Sequence, residues 1–299
     1  MKVGVTVPNN WGVEDAREML AIGPFAEELG FDSVWVMDHL FHAGFVTERL
    51  GTKPYYHPLA VLSHLSATTS RVALGTGVLV LPYHDPIEMA KYYATLDHMS
   101  GGRVIAGVGV GSLAPEFAAL GVPMAERGAR TTEAIRLMQE LWTAGQPTFR
   151  SKRFDVQGVG FYPLPVQSPL PLWVGGTSDA AKRRAARYGT GWLPNATKPE
   201  DYAALADEVR AMAVEAGREP SAVTMSVLVQ AGVRGSVGGT SDAAHTAAIW
   251  ADDADAMRTL LGGYRDAGVD HVVVAIGSGD IPLHRKAMEV MAGVLGDVR

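Results

Sequence analysis

FDSVWVMDHL, residues 31–40, carries a short apolar strand, 33–36, directly into Asp38 and His39. The strand is nearly continuous in apolar residues, which suits a parallel strand covered by helices on one side and by packed core on the other. Polar residues at its C-terminal end are what a closed parallel barrel presents to its catalytic mouth. Taken alone, the stretch leaves two plainer roles open: Asp38 caps the following segment, and His39 is a hydrogen-bonded residue of the rim.

Similar short runs recur at 3–7, 72–80, 104–108, 172–174, 191–193, 223–229 and 271–276, making eight expected strands. Helical patterning falls between and after them, at 16–29, 58–69, 86–99, 127–143, 178–188, 199–216, 252–267 and 283–295. Eight βα units in 299 residues predict one (β/α)8 barrel domain over 1–299, with a doubly wound open sheet as the alternative. Two segments break the rhythm and read as insertions after strands two and four: 41–57, and the aromatic- and proline-rich 148–171. The first lies at the catalytic end, where loops carry function.

Composition narrows the chemistry. With no cysteine, the chain has no disulfide, thiolate metal site, iron–sulfur cluster or cysteine nucleophile, so redox chemistry requires a bound cofactor. The 26 basic and 32 acidic residues give a net charge of −6 without a block of like charge, which argues against a nucleic-acid partner. No stretch reaches about 18 uninterrupted apolar residues and the start lacks a signal-peptide core, so a cytoplasmic protein with no membrane partner is expected. The pairs Glu27–Glu28 and Asp252–Asp253 read as solvated helix faces or helix starts. His42, three positions after His39, raises a zinc pair, but barrel metal sites favour paired histidines after strand one, and that strand ends Val7, Pro8, Asn9; no metal is expected.

Three glycine-bearing stretches follow. LGTGVLVLPYHDP, residues 74–86, places Gly75 and Gly77 inside a strand, which marks either a bulge with something lying against it or relief of crowding inside the barrel. RVIAGVGVG, residues 103–111, fails the dinucleotide fingerprint, since Gly107, Gly109 and Gly111 lack its third offset; it reads as a cofactor-lining loop or a tight strand-to-helix turn. PLWVGGTSDAA, residues 171–181, sets Gly175, Gly176, Thr177 and Ser178 at a helix start, suited to phosphate, to an ordinary N-cap, or to both. No G-x-S-x-G elbow is present for nucleophilic catalysis.

In order and spacing these four clusters resemble the luciferase-like monooxygenase superfamily over essentially the whole chain, from GVTVP to AGVDHVVV, and most closely its branch using the deazaflavin coenzyme F420. The resemblance implies that Asp38 and His39 lie beside the cofactor ring, and that the Gly77–Val78 bond is a non-proline cis peptide behind it, flanked by Thr76 and Val80. It implies that Gly109, Gly111 and Ser112 border the cofactor's side chain, and that Gly175, Gly176, Thr177 and Ser178 receive its phosphate. Flavin mononucleotide members often carry an arginine inside the glycine loop, where this chain has Val110; that favours F420, although Arg103, Arg127 or Arg130 offer charge from elsewhere. The F420-dependent sugar-phosphate dehydrogenases carry a catalytic glutamate where this chain has Ser112, which speaks against glucose-6-phosphate as substrate; Glu116, on the next helical turn, is not expected to take that role.

The expectation is therefore an F420-dependent oxidoreductase, a homodimer by the resemblance, moving a hydride between ring carbon five and a small organic substrate. His39 is the expected general acid or base, because an imidazole's ordinary pKa near 6.5 suits proton transfer at neutral pH. Asp38 either orients that imidazole or bonds the ring edge. Trp11, Tyr55, Tyr56 and Tyr83 are expected walls for a flat or apolar substrate. The alternatives are an oxygen-activating monooxygenase using flavin mononucleotide (FMN), and a barrel that binds a flavin-like ligand without turnover.

Overall fold

The computed structural model describes residues 1–236 and 249–299. Its strands are β1 (Lys2–Thr6), β2 (Ser33–Val36), β3 (Ala73–Thr76), β4 (Leu79–Val80), β5 (Val104–Gly109), β6 (Phe149–Arg150), β7 (Asp155–Val156), β8 (Leu172–Gly175), β9 (Gly191–Leu193), β10 (Thr224–Gly232) and β11 (His271–Gly277). The parallel order β3-β2-β1-β11-β10-β9-β8-β5 closes on itself, because β3 also pairs with β5 through Leu74↔Val104 and Gly75↔Ile105. The open sheet is excluded by that pairing, and the fold is an eight-stranded (β/α)8 barrel.

The third barrel position carries the cis Gly77–Val78 bond that the resemblance implies, and it interrupts the run read as one strand. The expected strand 72–80 is broken at Gly77–Val78, whose peptide bond is cis, and β4 continues alone against β5 through Leu79↔Val108 and Val80↔Gly109. Helices begin where the sequence places short polar caps: Asp85 accepts from the amides of Ile87 and Glu88, Asp253 from Ala256 and Asp280 from Leu283, while Pro58, Pro86 and Pro199 occupy first helical turns.

Two apolar layers hold the barrel. The outer one packs helices onto strands; the inner one is Trp35, Ile105, Trp173, Leu193 and Val273. The Trp35 and Trp173 rings lie 5.3 Å apart, and a Cβ on Gly75 would stand 2.3 Å from the Trp35 indole. Gly75 therefore makes room for an indole inside the barrel, the plainer of its two readings. Below the indoles His271 meets the Ser33 hydroxyl at 2.7 Å, and that oxygen also accepts from Trp35 Nε1. Burial pushes the His271 imidazole down to about 4, so it is neutral.

The two insertions occupy opposite ends. Residues 41–57 form a helix, Phe45–Leu50, beside the end of β2. Residues 148–171 form the β6–β7 hairpin and a loop tied to the other end of the barrel, where Gln167 bonds Asp97 and the Val104 carbonyl at the start of β5. Among the described residues, no helix is long and apolar enough to cross a membrane.

Candidate active site

The end of β2 is fixed from β1. Asn9 donates from Nδ2 to the carbonyls of Met37 and Tyr56 and accepts from the Met37 amide, so one buried amide side chain positions both the Asp38–His39 turn and the insertion beyond it. Asn9 was not singled out from the sequence; a polar residue directly after β1 was the available signal.

From that turn Asp38 and His39 take different partners. Asp38 is buried, and its Oδ2 accepts from the Val80 amide and from His84 Nε2, both at 2.8 Å. Its Oδ1 is buried and makes no hydrogen bond. Asp38 thus neither caps a helix nor orients His39. The imidazole of His39 is held by Glu116: Nδ1 lies 2.7 Å from Oε2, and Oε1 accepts from the amides of Leu40 and Phe41. The Tyr83 hydroxyl donates to Oε2 at 2.9 Å.

From its place one helical turn past the glycine loop, Glu116 is not expected to take the catalytic-glutamate role. It does lie in the helix Ala114–Ala119, but with 0% exposure and its carboxylate at the centre of the cluster. Burial alone raises its pKa; the bond and charge of His39 and the two amides outweigh that and bring it below the ordinary carboxylate value. An ionised Glu116 favours the tautomer of His39 that carries its proton on Nδ1, which leaves Nε2 without one.

Aromatic side chains close around this imidazole. Phe45 and Tyr55 pack against it at 5.3 and 5.9 Å between ring centres, and Arg49 lies 4.6 Å over the Trp11 ring. The Tyr55 hydroxyl is buried without a hydrogen bond, and burial together with the Asp38 charge raises its pKa well above the ordinary value. Leu40, Phe41 and Phe45 are large apolar side chains exposed beside it. Tyr83 serves differently from the wall residue expected, since it is a buried partner of Glu116.

The glycine stretches are in part packing. Cβ atoms on Gly109 and Gly175 would stand 2.5 and 2.9 Å from the two γ-carbons of Val78, so these glycines seat Val78 between two strand ends. Thr76 Oγ1 faces the barrel wall, bonded to the Gly107 carbonyl and Tyr93, and Val80 packs with Tyr83 and Phe117. Gly111 has φ 75°, and Ser112 beside it is exposed. After β8, Gly176 has φ 106°, Thr177 and Ser178 are exposed, and Ser178 caps the helix Asp179–Tyr188 by accepting from Ala181, so the N-cap reading holds there.

The arginines proposed as alternative charge sources are engaged. Arg103 precedes β5, at the far end of the barrel, and donates to the carbonyls of Ser66, Thr69, Val72 and Ser100 and to Thr69 Oγ1. Arg127 donates to the Met124 carbonyl and Arg130 pairs with Glu126. His42 is exposed and its ring meets the Lys53 carbonyl; among the described residues no group of three or more His, Asp or Glu side chains is placed to hold a metal.

The family model for luciferase-like monooxygenases matches residues 1–292. An F420-dependent glucose-6-phosphate dehydrogenase from Gordonia bronchialis is 35% identical over 213 residues, which cover 69% of this chain and 60% of that protein, so the chain spans about three fifths of that relative. An F420-dependent secondary alcohol dehydrogenase solved with an F420–acetone adduct superposes with a TM-score of 0.80 at 22% identity, over 100% of this chain and 99% of the other. A monooxygenase from Streptomyces bottropensis superposes with a TM-score of 0.81 at 22% identity, over 99% of each chain. Likeness at that identity speaks for the fold.

Proposed function

We propose that this chain, which belongs to the luciferase-like monooxygenase family, is an F420-dependent oxidoreductase acting on a small alcohol or carbonyl compound. The observation that carries the reading is the imidazole of His39, held through Nδ1 by a buried, ionised Glu116 at the end of a barrel strand. A side chain so fixed is built to pass a proton at Nε2. The dehydrogenase names of relatives such as the Gordonia bronchialis protein support the same reading.

The residues present fit the cofactor. Asp38 Oδ1, buried and without a partner, offers an acceptor to a ring edge. The loop from Gly109 to Ser112 would border the cofactor's side chain, and the amides and hydroxyls from Gly175 to Ser178 would hold its phosphate. Val110, with Arg103 at the wrong end of the barrel, supports F420 over FMN. When bound, F420 supplies a two-electron acceptor or donor at ring carbon five. His39 would accept the proton of an alcohol hydroxyl, or give one to a carbonyl oxygen, at Nε2. Glu116 keeps the imidazole oriented and compensates its charge, while Phe45, Tyr55 and Trp11 wall the mouth.

Titration of the protein with F420 and, separately, FMN, followed by fluorescence quenching, tests the proposal. Tight binding of F420 alone is expected. Preference for FMN would move the assignment to oxygen-using chemistry, and binding of neither would overturn both.

A further inference from the structure

Asp38 and His39 adjoin in sequence, yet their hydrogen bonds run apart: His39 to Glu116, Asp38 to His84. Both partnerships join a buried carboxylate to an imidazole, and the His84 side chain is only 9% exposed. Beyond His84 lies His57, an exposed residue whose ring meets it edge to face at 6.3 Å. Imidazoles thus lead from the surface to a carboxylate whose other oxygen, Oδ1, has no partner.

We propose that Asp38 and His84 form a second acid–base pair that exchanges one proton with the bound cofactor, Asp38 making the contact and His84 acting through it as a positioning residue. The inference rests on the F420-dependent reading above. Oxidation of an alcohol breaks a C–H bond, whose electron pair leaves with the hydrogen to ring carbon five, and an O–H bond, whose proton passes to His39. The reduced deazaflavin also gains one proton, and the Asp38–His84 pair supplies it. His39 then holds one proton more and the second pair one fewer, and both return to their starting states by exchange with water. Reduction runs each transfer backwards. A single imidazole would have to accept the alcohol's proton and deliver one to the ring, reaching both within the same turnover, whereas two pairs held by different partners divide the work.

The groups around His84 permit this. Asp38 approaches from the end of β2 and His57 from the start of the helix Pro58–Thr68. On its own segment, the Asp85 carboxylate is engaged by the amides of Ile87 and Glu88. Tyr55, Tyr83 and Tyr93 each feel the Asp38 charge and are held above the ordinary phenol value, chiefly by burial, so they remain neutral. The part of the His57 ring turned away from water holds it below the ordinary imidazole value, so it is a neutral neighbour near pH 7.

Calorimetry of F420 binding near pH 6.5, repeated in buffers of different ionisation enthalpy, counts protons without requiring turnover. A ring laid over the buried Asp38 Oδ1 shuts it off from water, which favours protonation of the pair, so the parent takes up part of a proton on binding. His84→Asn, a neutral donor, and His84→Arg, a permanently charged donor, both lose that uptake, while His39→Asn keeps it. Equal uptake in the parent and both His84 variants, or none in the parent, overturns the pair; loss in His39→Asn as well overturns its independence from His39. A folded parent that gives no F420 binding heat overturns the F420 reading itself and this inference with it.

Discussion

Glu116 receives two backbone amides, a tyrosine hydroxyl and an imidazole on one fully buried carboxylate. Replacing it with glutamine keeps the shape but puts an NH2 donor where only acceptors fit, and frees the tautomer of His39. Glu116→Gln is therefore expected to lower kcat at least about tenfold and stability by about 1–3 kcal/mol, measured by steady-state kinetics and urea unfolding. His39→Asn should lower kcat by about 10²–10⁴ with F420 affinity nearly unchanged; a variant that keeps its rate removes His39 from the chemistry. The position of His39 was legible because strand patterning placed it at a barrel mouth. Its partner was not, because Glu116 lies 77 positions away. Periodicity reports which face a residue occupies, while the choice of a distant hydrogen-bond partner depends on how two loops meet. His84 was illegible for the same reason, standing 46 positions from Asp38.

At the scale of elements, the strands that the apolar runs marked are present nearly to the residue, and departures occur where packing between loops decides. At the break of the third strand, Val78 fits between Gly109 and Gly175. Gly109→Ala is expected to destabilise by about 1–3 kcal/mol through overpacking, since a valine side chain has little rotamer freedom with which to yield. Val78→Ala in the same chain should recover part of that loss; additive losses in the double variant would show that the contact is not the cause. A second departure lies at the opposite end. Glu27, read as a solvated helix residue, accepts from the amides of Ser70, Arg71 and Val72 and so ties the helix Ile22–Glu28 to the entrance of β3. Burial opposes its charge, but the amides prevail and draw its pKa down to about 2. A depressed carboxylate adds stability above its unfolded value and loses it as pH falls through the folded one. Glu27→Gln should therefore cost on the order of 2–3 kcal/mol at pH 7 and almost nothing at pH 2. An equal cost at both pH values would assign the effect to shape instead of charge.

Across the whole molecule, the closing strand β11 has a neutral buried histidine near each end. His271 at its start shares a hydrogen bond with the Ser33 hydroxyl at the start of β2, so the bond spans β1 inside the barrel. His284, in the helix Ile281–Ala292 that follows β11, meets the Ser278 carbonyl at 3.2 Å and is fully buried. Burial lowers both to about 4, against 6.5 for a free imidazole. Between those values the unfolded chain binds more protons than the folded one, so stability is complete above about pH 6.5 and falls as pH drops towards 4, by up to about 3 kcal/mol for each histidine. The depressed carboxylates Glu27 and Glu116 add their losses only below about pH 4.5, so the upper part of the acid transition belongs to the histidines. His271→Gln offers an amide oxygen to the Ser33 hydroxyl and cannot take a proton. Its urea midpoint should start below the parent's at pH 7 through poorer packing against Trp35 and Trp173, then fall about half as steeply between pH 6.5 and 4.5. A parent midpoint that stays flat over that range would mean both imidazoles can charge without opening the barrel. A parallel fall in parent and variant would place the acid sensitivity outside β2 and β11.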